Sequence, residues 1–290
     1  MGFNLDTQAT RSDLMSVDST LSENITAAQD YIPIASTTNF STSVVAEIET
    51  TNEVVSFTDI SSNLMSYSEQ FDNAAWIKSN LTISADSTTA PDGTTTADSW
   101  LSTATSSCYI SQNALGTGGD TYTFSIFAKA GDMNWFRISN VSSGASGGWF
   151  NLTDGTLGTS NGVGNVSTIT SVGDGWYRCE RKFASYVTGG TSVIYAPSSA
   201  DGATTAPGSN KFIYFWGAQV EKASSASTYL PTTSSALVGL TNVTRGVNGT
   251  TAATASSGDA IQQLPYALGE VNMPIRLTGL SVSSDGTGAG

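Results

Sequence analysis

The sequence predicts an all-β protein, and three observations favour that fold class. The 290 residues include 43 Ser, 40 Thr and 29 Gly, which are weak formers of helix interiors. Thr suits strands, whereas Gly and Ser suit the turns between them. Short runs of alternating apolar and polar residues recur roughly every 10 to 20 residues, with Gly- and Asp-rich turns between them. These features argue against a helical bundle.

The first 30 residues are predicted to form an N-terminal arm. Their apolar residues are sparse, so they form either a flexible arm that orders against a partner or a short amphipathic helix near residues 13–30. Residues 31–62 then carry short alternating runs, which predict the first half of a small β domain. Within this half, residues 53–60 are typical of a half-buried strand.

Residues 63–233 are predicted to form a two-sheet sandwich. Residues 122–130 and 211–222 are nearly continuous in apolar character, so we expect them to be its central strands. Strict alternation in the second run places five side chains on one face: Phe212, Tyr214, Trp216, Ala218 and Val220. Six further strands are predicted at residues 107–112, 135–139, 148–152, 168–172, 176–183 and 191–196.

Residues 234–268 are predicted to be the second half of the small β domain, with strands at residues 236–243 and 259–264. A closing strand at residues 275–282 is expected within the C-terminal segment 269–290, followed by a tail. The two cysteines, Cys108 and Cys179, are either buried free thiols or a disulfide, and their spacing does not decide between these.

The opening and closing segments of residues 63–233 resemble carbohydrate-binding-module-like β-sandwich domains, which recur in tail, fibre and other structural proteins of bacteriophages. The run of residues 173–183 carries the same resemblance. It implies a jelly-roll or concanavalin-like two-sheet sandwich and says almost nothing about a ligand. The matching residues at the two ends are Asn63, Leu64, Ser68, Phe71, Trp76, Gly217, Ala218, Gln219, Glu221, Tyr229, Pro231 and Thr232.

The flanks resemble a different unit, a small β-module of phage virion proteins. Residues 53–60 match its Glu-Ile-Ile-x-Tyr-Thr-Gly-Ile strand, with Phe57 for the Tyr and Asp59 for the Gly. Residues 242–253 match its Gly-Val-Thr-Arg-Gly-x-x-Gly-Thr-x-Ala-Ala run. These two halves form one hairpin in the uninterrupted module. The resemblance therefore implies a sandwich inserted at the hairpin tip, between Ser62 and Ser234, with residues 54–60 beside residues 240–244.

The composition excludes several function classes. A formal net charge of −13 disfavours nucleic acid, because an acidic surface repels phosphates. No apolar run approaches the roughly 20 residues of a spanning helix, and residues 1–12 lack the pattern of a secretion signal, so no membrane partner is expected. The chain contains no His, which removes Ser-His-Asp triads and nearly all catalytic zinc sites.

We therefore expect a protein that is not an enzyme and needs no cofactor. Carboxylate pairs of the glycosidase type are conceivable, but their members are better explained as turn formers at strand ends. Structural calcium is the one ion considered, since sandwich modules often bind one through oxygen ligands. Its candidate ligands, for which ordinary solvated carboxylates are the competing interpretation, are Asp72, Asp92, Asp98 and Glu221.

Two further sets of residues are candidates for sites. Aromatic rings near loops form sugar-binding platforms in some proteins, although core packing or a subunit contact is the competing interpretation. The candidate platforms are Trp135, Trp149, Tyr186 and Tyr195. A structural set is also expected, in which Arg245 pairs with a carboxylate such as Glu53 or with a neighbouring chain, and glycines supply positive φ. Its members are Glu53, Arg245, Gly246 and Gly249.

The sequence predicts a structural protein of a bacteriophage particle, assembled in the host cytoplasm, either a capsid decoration or a tail-fibre or adaptor component. Its expected partners are other virion proteins and further copies of itself, most plausibly in a homotrimer. Two alternatives stay open. One is a fibre or adhesin that recognises host surface glycan, and the other is a glycan depolymerase.

Overall fold

A computed structural model of the chain describes residues 19–38, 40, 44–113, 119–140, 146–184, 192–206 and 208–264. These residues form nineteen strands in four antiparallel sheets and contain no helix, which confirms the predicted all-β class. Accordingly, the described segments contain no helix that could span a bilayer.

The strands divide into a base, formed by residues 19–62 and 234–264, and a sandwich, formed by residues 63–233. Five strands lead into the sandwich: β1 (Ser19–Thr20), β2 (Ile32–Pro33), β3 (Val44–Ile48), β4 (Glu53–Phe57) and β5 (Asp59–Asn63). Twelve strands build it: β6 (Ile77–Ser79), β7 (Leu81–Thr88), β8 (Ala97–Ser102), β9 (Tyr109–Asn113), β10 (Tyr122–Lys129), β11 (Trp135–Ser139), β12 (Gly148–Asn151), β13 (Thr156–Ser160), β14 (Val166–Gly173), β15 (Trp176–Phe183), β16 (Ser192–Ser198) and β17 (Phe212–Glu221). Two strands return to the base: β18 (Leu237–Thr241) and β19 (Ala260–Leu264).

The sandwich consists of two six-stranded sheets. Sheet I has the order β14-β15-β10-β17-β8-β7, and sheet II has the order β13-β12-β11-β16-β9-β6. The two apolar runs of the sequence, β10 and β17, lie at the centre of sheet I as predicted, because a strand covered on both faces needs apolar residues on both. Cys108 and Cys179 are buried as free thiols. The core between the sheets includes the fully buried rings of Trp100, Phe124, Phe136, Phe150 and Phe215.

A β-bulge in β17 changes which side chains share a face. Ser125 pairs with Gln219 whereas Phe127 pairs with Trp216, so β17 has one extra residue at this point. Gly217 at the bulge has a φ of +61°. The expectation that Trp216 faces the same side as Ala218 and Val220 is therefore wrong. Ala218 and Val220 join the core between the sheets, and Trp216 packs on the outer face of sheet I in a second cluster with Phe127 and Trp176.

The base contains a sheet of order β1-β19-β3-β4 and a sheet of order β2-β18-β5. They enclose a core of their own, which includes Ile32, Phe57, Leu240 and Ile261, all without solvent exposure. Residues from both ends of the described chain contribute to it. The base is therefore a packed unit and not a pair of separate flanking segments.

The two halves of the base meet as the insertion hypothesis predicted. β5 pairs with β18, with Ile60 opposite Leu240, and an isolated bridge joins Ser56 to Thr244. The chain thus leaves the base along β5 and returns beside it along β18. Such adjacent ends allow a folded unit to be inserted without strain in the flanking strands.

The predicted N-terminal arm, residues 1–30, is part of the base from Ser19 onward. β1 pairs with β19, and Leu21 and Ile25 are buried in the core of the base. Residues 19–30 thus belong to the base, and they contain no helix. The remaining N-terminal residues, 1–18, and the segment 265–290 with its predicted strand lie outside the described residues.

Candidate functional site

Glu53 and Arg245 form a buried ion pair inside the base. Arg245 donates from Nε to Glu53 Oε1 at 2.6 Å and from Nη2 to Oε2 at 2.7 Å. The Glu53 carboxylate is fully buried, and the Arg245 side chain is 7% exposed. A guanidinium and a carboxylate that meet through two parallel bonds are fixed in direction as well as distance. Of the two partners that the sequence left open for Arg245, a carboxylate such as Glu53 or a neighbouring chain, the structure shows Glu53.

The same two side chains also bind the loops around them. Glu53 accepts the backbone N–H groups of Gly246 and Ala253, both at 3.1 Å. Arg245 donates to the carbonyls of Thr26 and Ala253, both at 2.7 Å. One charge pair therefore connects β4, the loop after β18 and the N-terminal loop of the base.

The backbone of the Arg245 loop requires glycine at two places. Gly246 has a φ of +64° and Gly249 a φ of +77°. A Cβ at Gly246 would lie 2.8 Å from the backbone nitrogen of Ala252, a distance that real side chains do not tolerate. The Gly residues of the sequence pattern thus serve the loop that positions Arg245.

Burial and binding act in opposite directions on the Glu53 carboxyl. Burial alone raises its pKa. The hydrogen bonds from Arg245, Ala253 and Gly246 and the positive charge of Arg245 lower the pKa by a larger amount. The net effect is a pKa below the ordinary value of a glutamate. The carboxylate is therefore held ionised.

Asn63 is the point where the base becomes the sandwich, and its buried amide satisfies four backbone groups. Its Nδ2 donates to the carbonyls of Ala218 and Leu230, at 2.9 and 3.0 Å. Its Oδ1 accepts the N–H groups of Met65 and Val220, at 3.0 and 3.2 Å. The first residue of the inserted unit is thereby bound to its last strand and to the segment that leaves it.

Other residues of the sandwich signature meet in the same place. Gln219 accepts the Leu230 N–H at 2.8 Å, and the Ser68 hydroxyl lies 2.7 Å from the Tyr229 hydroxyl. Ser68 Oγ also accepts the Thr232 N–H at 2.8 Å. We call this network the clasp: Asn63, Ser68, Gln219, Tyr229 and Thr232. These signature residues thus close the fold of the sandwich.

Two contacts join the clasp region to the base. Asp59 of β5 accepts the Thr228 N–H at 2.8 Å, and Asn242 donates from Nδ2 to the Thr228 hydroxyl at 3.0 Å. β5 and β17 are also in direct contact. The sandwich is therefore attached by several bonded segments and not by a single linker.

A cleft of about 170 Å³ opens at this junction. Three carboxylates lie among its lining residues, Asp30, Glu69 and Asp92, and none of the described lining residues is Lys or Arg. Burial raises the pKa of Glu69, the Tyr229 hydroxyl lowers it, and the charge of Asp92 raises it; the net shift is upward. The cleft is acidic, but the hydrogen bond between Glu69 and Tyr229 belongs to the closure of the fold.

The structure places the candidate sugar platforms in different environments. Trp149 is 1% exposed and donates its Nε1–H to the Ala203 carbonyl, and Tyr195 is fully buried with its hydroxyl donating to the Ser125 carbonyl. Neither ring offers a face to solvent, so both are wrong as platforms. Trp135 is half-buried beside Gly158, and Tyr186 lies outside the described residues.

The carboxylates expected to bind calcium do not converge. Asp98 lies opposite Phe215 in the β8–β17 ladder, whereas Glu221 lies six residues further along β17, roughly 20 Å away. Asp92 accepts the N–H and hydroxyl of Thr94 in a turn. Within the described ranges, no group of three or more His, Cys, Asp or Glu side chains is arranged to hold a metal ion. The expectation of one calcium site is therefore wrong for this set: Asp72, Asp92, Asp98 and Glu221.

Asp98 has a structural role that the sequence did not reveal. Its side chain is buried in sheet I and accepts the N–H groups of Phe71 and Asp86, at 3.0 and 3.1 Å. Burial raises its pKa to about 7, against the lowering effect of these hydrogen bonds, and the charges of Asp72 and Asp86 add to the rise. No spacing in the sequence marks this carboxyl as different from its exposed neighbours.

Comparison of the sequence with models of known protein families and with curated proteins gives no match. A function for this chain therefore has to follow from its own residues and their geometry.

Proposed function

We propose that this chain is a non-enzymatic structural protein of a bacteriophage particle, in which the base docks to the particle and the sandwich projects from it. The observation that carries the proposal is the β5–β18 ladder, which joins residues 59–63 to residues 237–241 around the inserted sandwich. The flanks that resemble a phage virion module are paired by this ladder and held by Glu53 and Arg245.

The distribution of polar chemistry also supports a structural role. The buried side chains of Glu53, Arg245 and Asn63 are saturated by partners within the chain. Their hydrogen-bonding capacity is used to join chain segments, which leaves none for a substrate. A protein that must hold a projecting unit at a fixed place needs this kind of closure.

The test is incorporation into particles. Phage particles that lack this gene product are mixed with the purified chain, washed by gradient centrifugation and analysed by mass spectrometry and cryo-electron microscopy. We expect the wild-type chain to sediment with the particles at regular positions on the head or the tail. A chain that stays in the supernatant, while the particles accept their other added components, would contradict the proposal.

Two variants test whether incorporation depends on the base. The exposed substitution Thr82→Ala lies in the sandwich, outside the base, and should leave incorporation unchanged, whereas a Glu53→Gln chain with a loosened base should be incorporated less. The trimeric state stays a prediction for the assembled particle, and cryo-electron microscopy of the incorporated chain measures it. Equal incorporation of both variants would remove the base as the docking unit.

Glycan recognition is supported by fewer residues than the sequence predicted, since Trp135 is the one described candidate with partial exposure. Binding of host polysaccharide by the full chain, lost in Trp135→Ala but retained in Trp149→Phe, would favour the receptor-binding alternative. Release of reducing ends from the same polysaccharide would favour a depolymerase.

A further inference from the structure

Among the described residues of the sandwich there are four edge strands, and three of them are blocked. Edge strands present unpaired backbone groups, which natural proteins protect with charges, bulges, short length or covering segments. β7 contains Asp86 and a register shift between Ser84 and Thr88. β6 has only three residues and includes Lys78.

β13 is blocked in a different way. Its backbone N–H at Thr159 donates to Asp201 Oδ1 at 2.6 Å, and the Thr159 hydroxyl donates to Asp201 Oδ2 at 3.1 Å. A carboxylate thus occupies the outer side of this strand. Its ladder with β12 also contains a register shift.

β14 lacks the charge, the short length and the covering carboxylate that protect the other three, and its one register shift lies at its end. It is eight residues long, contains neither charge nor Pro, and its register with β15 is regular until the shift between Ser171 and Gly173. Within the described part of the chain it pairs with β15 alone. Val166 and Val172 are 48% and 43% exposed on its outer face.

The sequence of β14 is a palindrome about Ile169. Residues 166–172 read Val-Ser-Thr-Ile-Thr-Ser-Val in both directions. Two antiparallel copies centred on Ile169 place Val166 opposite Val172 and Thr168 opposite Thr170. Residues directly opposite in an antiparallel pair point to the same side of the sheet, and each of these pairs satisfies that requirement. Val–Val and Thr–Thr pairs are favourable across strands.

We infer that β14 pairs with β14 of a second copy of this chain, so that sheet I of the two copies becomes one continuous sheet. Two chains with a net charge of −13 each repel one another, and their contact has to lie where charges are few. Residues 155–173 contain no charged side chain. The contact has a twofold axis at Ile169 and joins copies in pairs. The inference concerns the isolated chain and does not depend on the proposed role in a particle.

The first experiment measures the mass of the full chain by size-exclusion chromatography with light scattering. We expect the wild type to have twice the 30.0 kDa of one chain and Thr168→Lys to have the mass of one chain. Thr82→Lys is the matched control. Thr82 is also an exposed Thr on an edge strand, β7, and its substitution by Lys adds the same charge. It should stay dimeric. Circular dichroism and the unfolding midpoint of each variant verify that the fold is retained.

The second experiment measures the register. Cys108 and Cys179 are buried, so a spin label attaches selectively to a new cysteine in Val172→Cys. Because each label lies three residues from the axis, electron-electron resonance should give a label separation of roughly 20 Å, plus the reach of the two labels. A wild-type monomer, an oligomer that Thr168→Lys leaves intact, or a different separation would overturn the inference.

Discussion

Glu53 and Arg245 are 192 positions apart in the sequence, and their side chains are joined by two hydrogen bonds of 2.6 and 2.7 Å in the interior of the base. The residues that separate them include the entire sandwich. The base therefore closes only when both flanks of the inserted unit have come together. The folding of the base thus depends on a contact between residues far apart in the sequence, and closing the long loop between them has an entropic cost.

Removing the carboxylate charge of Glu53 should destabilise the base. Glu53→Gln leaves the Arg245 guanidinium buried without a counter-charge, and breaking a buried pair in this way costs about 3–5 kcal/mol. Denaturant unfolding, followed by near-UV circular dichroism, measures the loss. Asp120→Asn is the control, because it breaks the exposed pair of Asp120 and Lys222 and should produce no measurable change. Equal effects of both substitutions would contradict a special role of the buried pair.

The contribution of Glu53 should also depend on pH. Its pKa in the folded chain is lower than its value of about 4.3 in an unfolded chain. The folded state therefore binds fewer protons here, and the stabilisation is fully present above about pH 4.3 and disappears as the pH falls through the folded pKa. The difference in unfolding free energy between wild type and Glu53→Gln should shrink below about pH 4. A constant difference would argue against an ionised Glu53.

Asp98 should have the opposite pH dependence. Its pKa is raised to about 7 by burial, against about 3.9 when unfolded, so the folded state binds more protons between these values. Its contribution to stability should fall as the pH rises from about 4 to about 7. Carbon-13 NMR of the Asp98 carboxyl measures the titration directly, and Asp98→Asn should flatten the slope. A carboxyl that titrates near pH 4 would show that the burial is not maintained in solution.

The clasp should be sensitive to the loss of one amide. Asn63→Ala leaves two carbonyls and two N–H groups without their partner in a buried place, and each unsatisfied group costs about 1–3 kcal/mol. We expect the unfolding midpoint of the sandwich to fall sharply in a thermal scan. Gln70→Ala is the control, since Gln70 is exposed in the same loop region. A small effect of Asn63→Ala would mean that water replaces the lost amide.

Gly217 should tolerate no side chain. It has positive φ, and a Cβ there would lie 3.0 Å from the Phe127 ring and 3.2 Å from the Tyr229 ring. Gly217→Ala therefore combines backbone strain, about 1–3 kcal/mol, with crowding of the outer aromatic cluster. Gly93→Ala isolates the strain, because Gly93 has a φ of +87° and open space around its Cα. Urea unfolding should rank Gly217→Ala as the more destabilised variant, and the reverse order would contradict the packing argument.

The sequence predicts the central strands well and the edges poorly. β10 and β17 are rich in aromatic and aliphatic residues because both of their faces are covered. β7 and β8 carry Ser, Thr and Asp, and their polar residues are compatible with loops. β8 is a strand because it forms ladders with β17 and β7. β13 is short and exposed, so it has no apolar alternation to detect.

Alternation also fails to decide which side of a strand faces a core. One extra residue at Gly217 is enough to move Trp216 to the opposite face of sheet I. Trp149 is covered because the Ala203 segment folds over sheet II, which is a tertiary contact across 54 positions. By contrast, Glu53 was one of the two partners expected for Arg245 from the sequence, and the structure shows this pair.

The course of the chain through the junction has a mechanical consequence. β5 and β18 enter the sandwich at the same end, where Asn63 pairs with Leu237. A pull on the sandwich therefore draws both strands in one direction and causes no sliding between them. The force is transmitted instead to the ladder between β18 and β2 and to the contacts of β4 that lie deeper in the base. A force that pulls the sandwich away from the base is thus distributed over several neighbouring strands of the base.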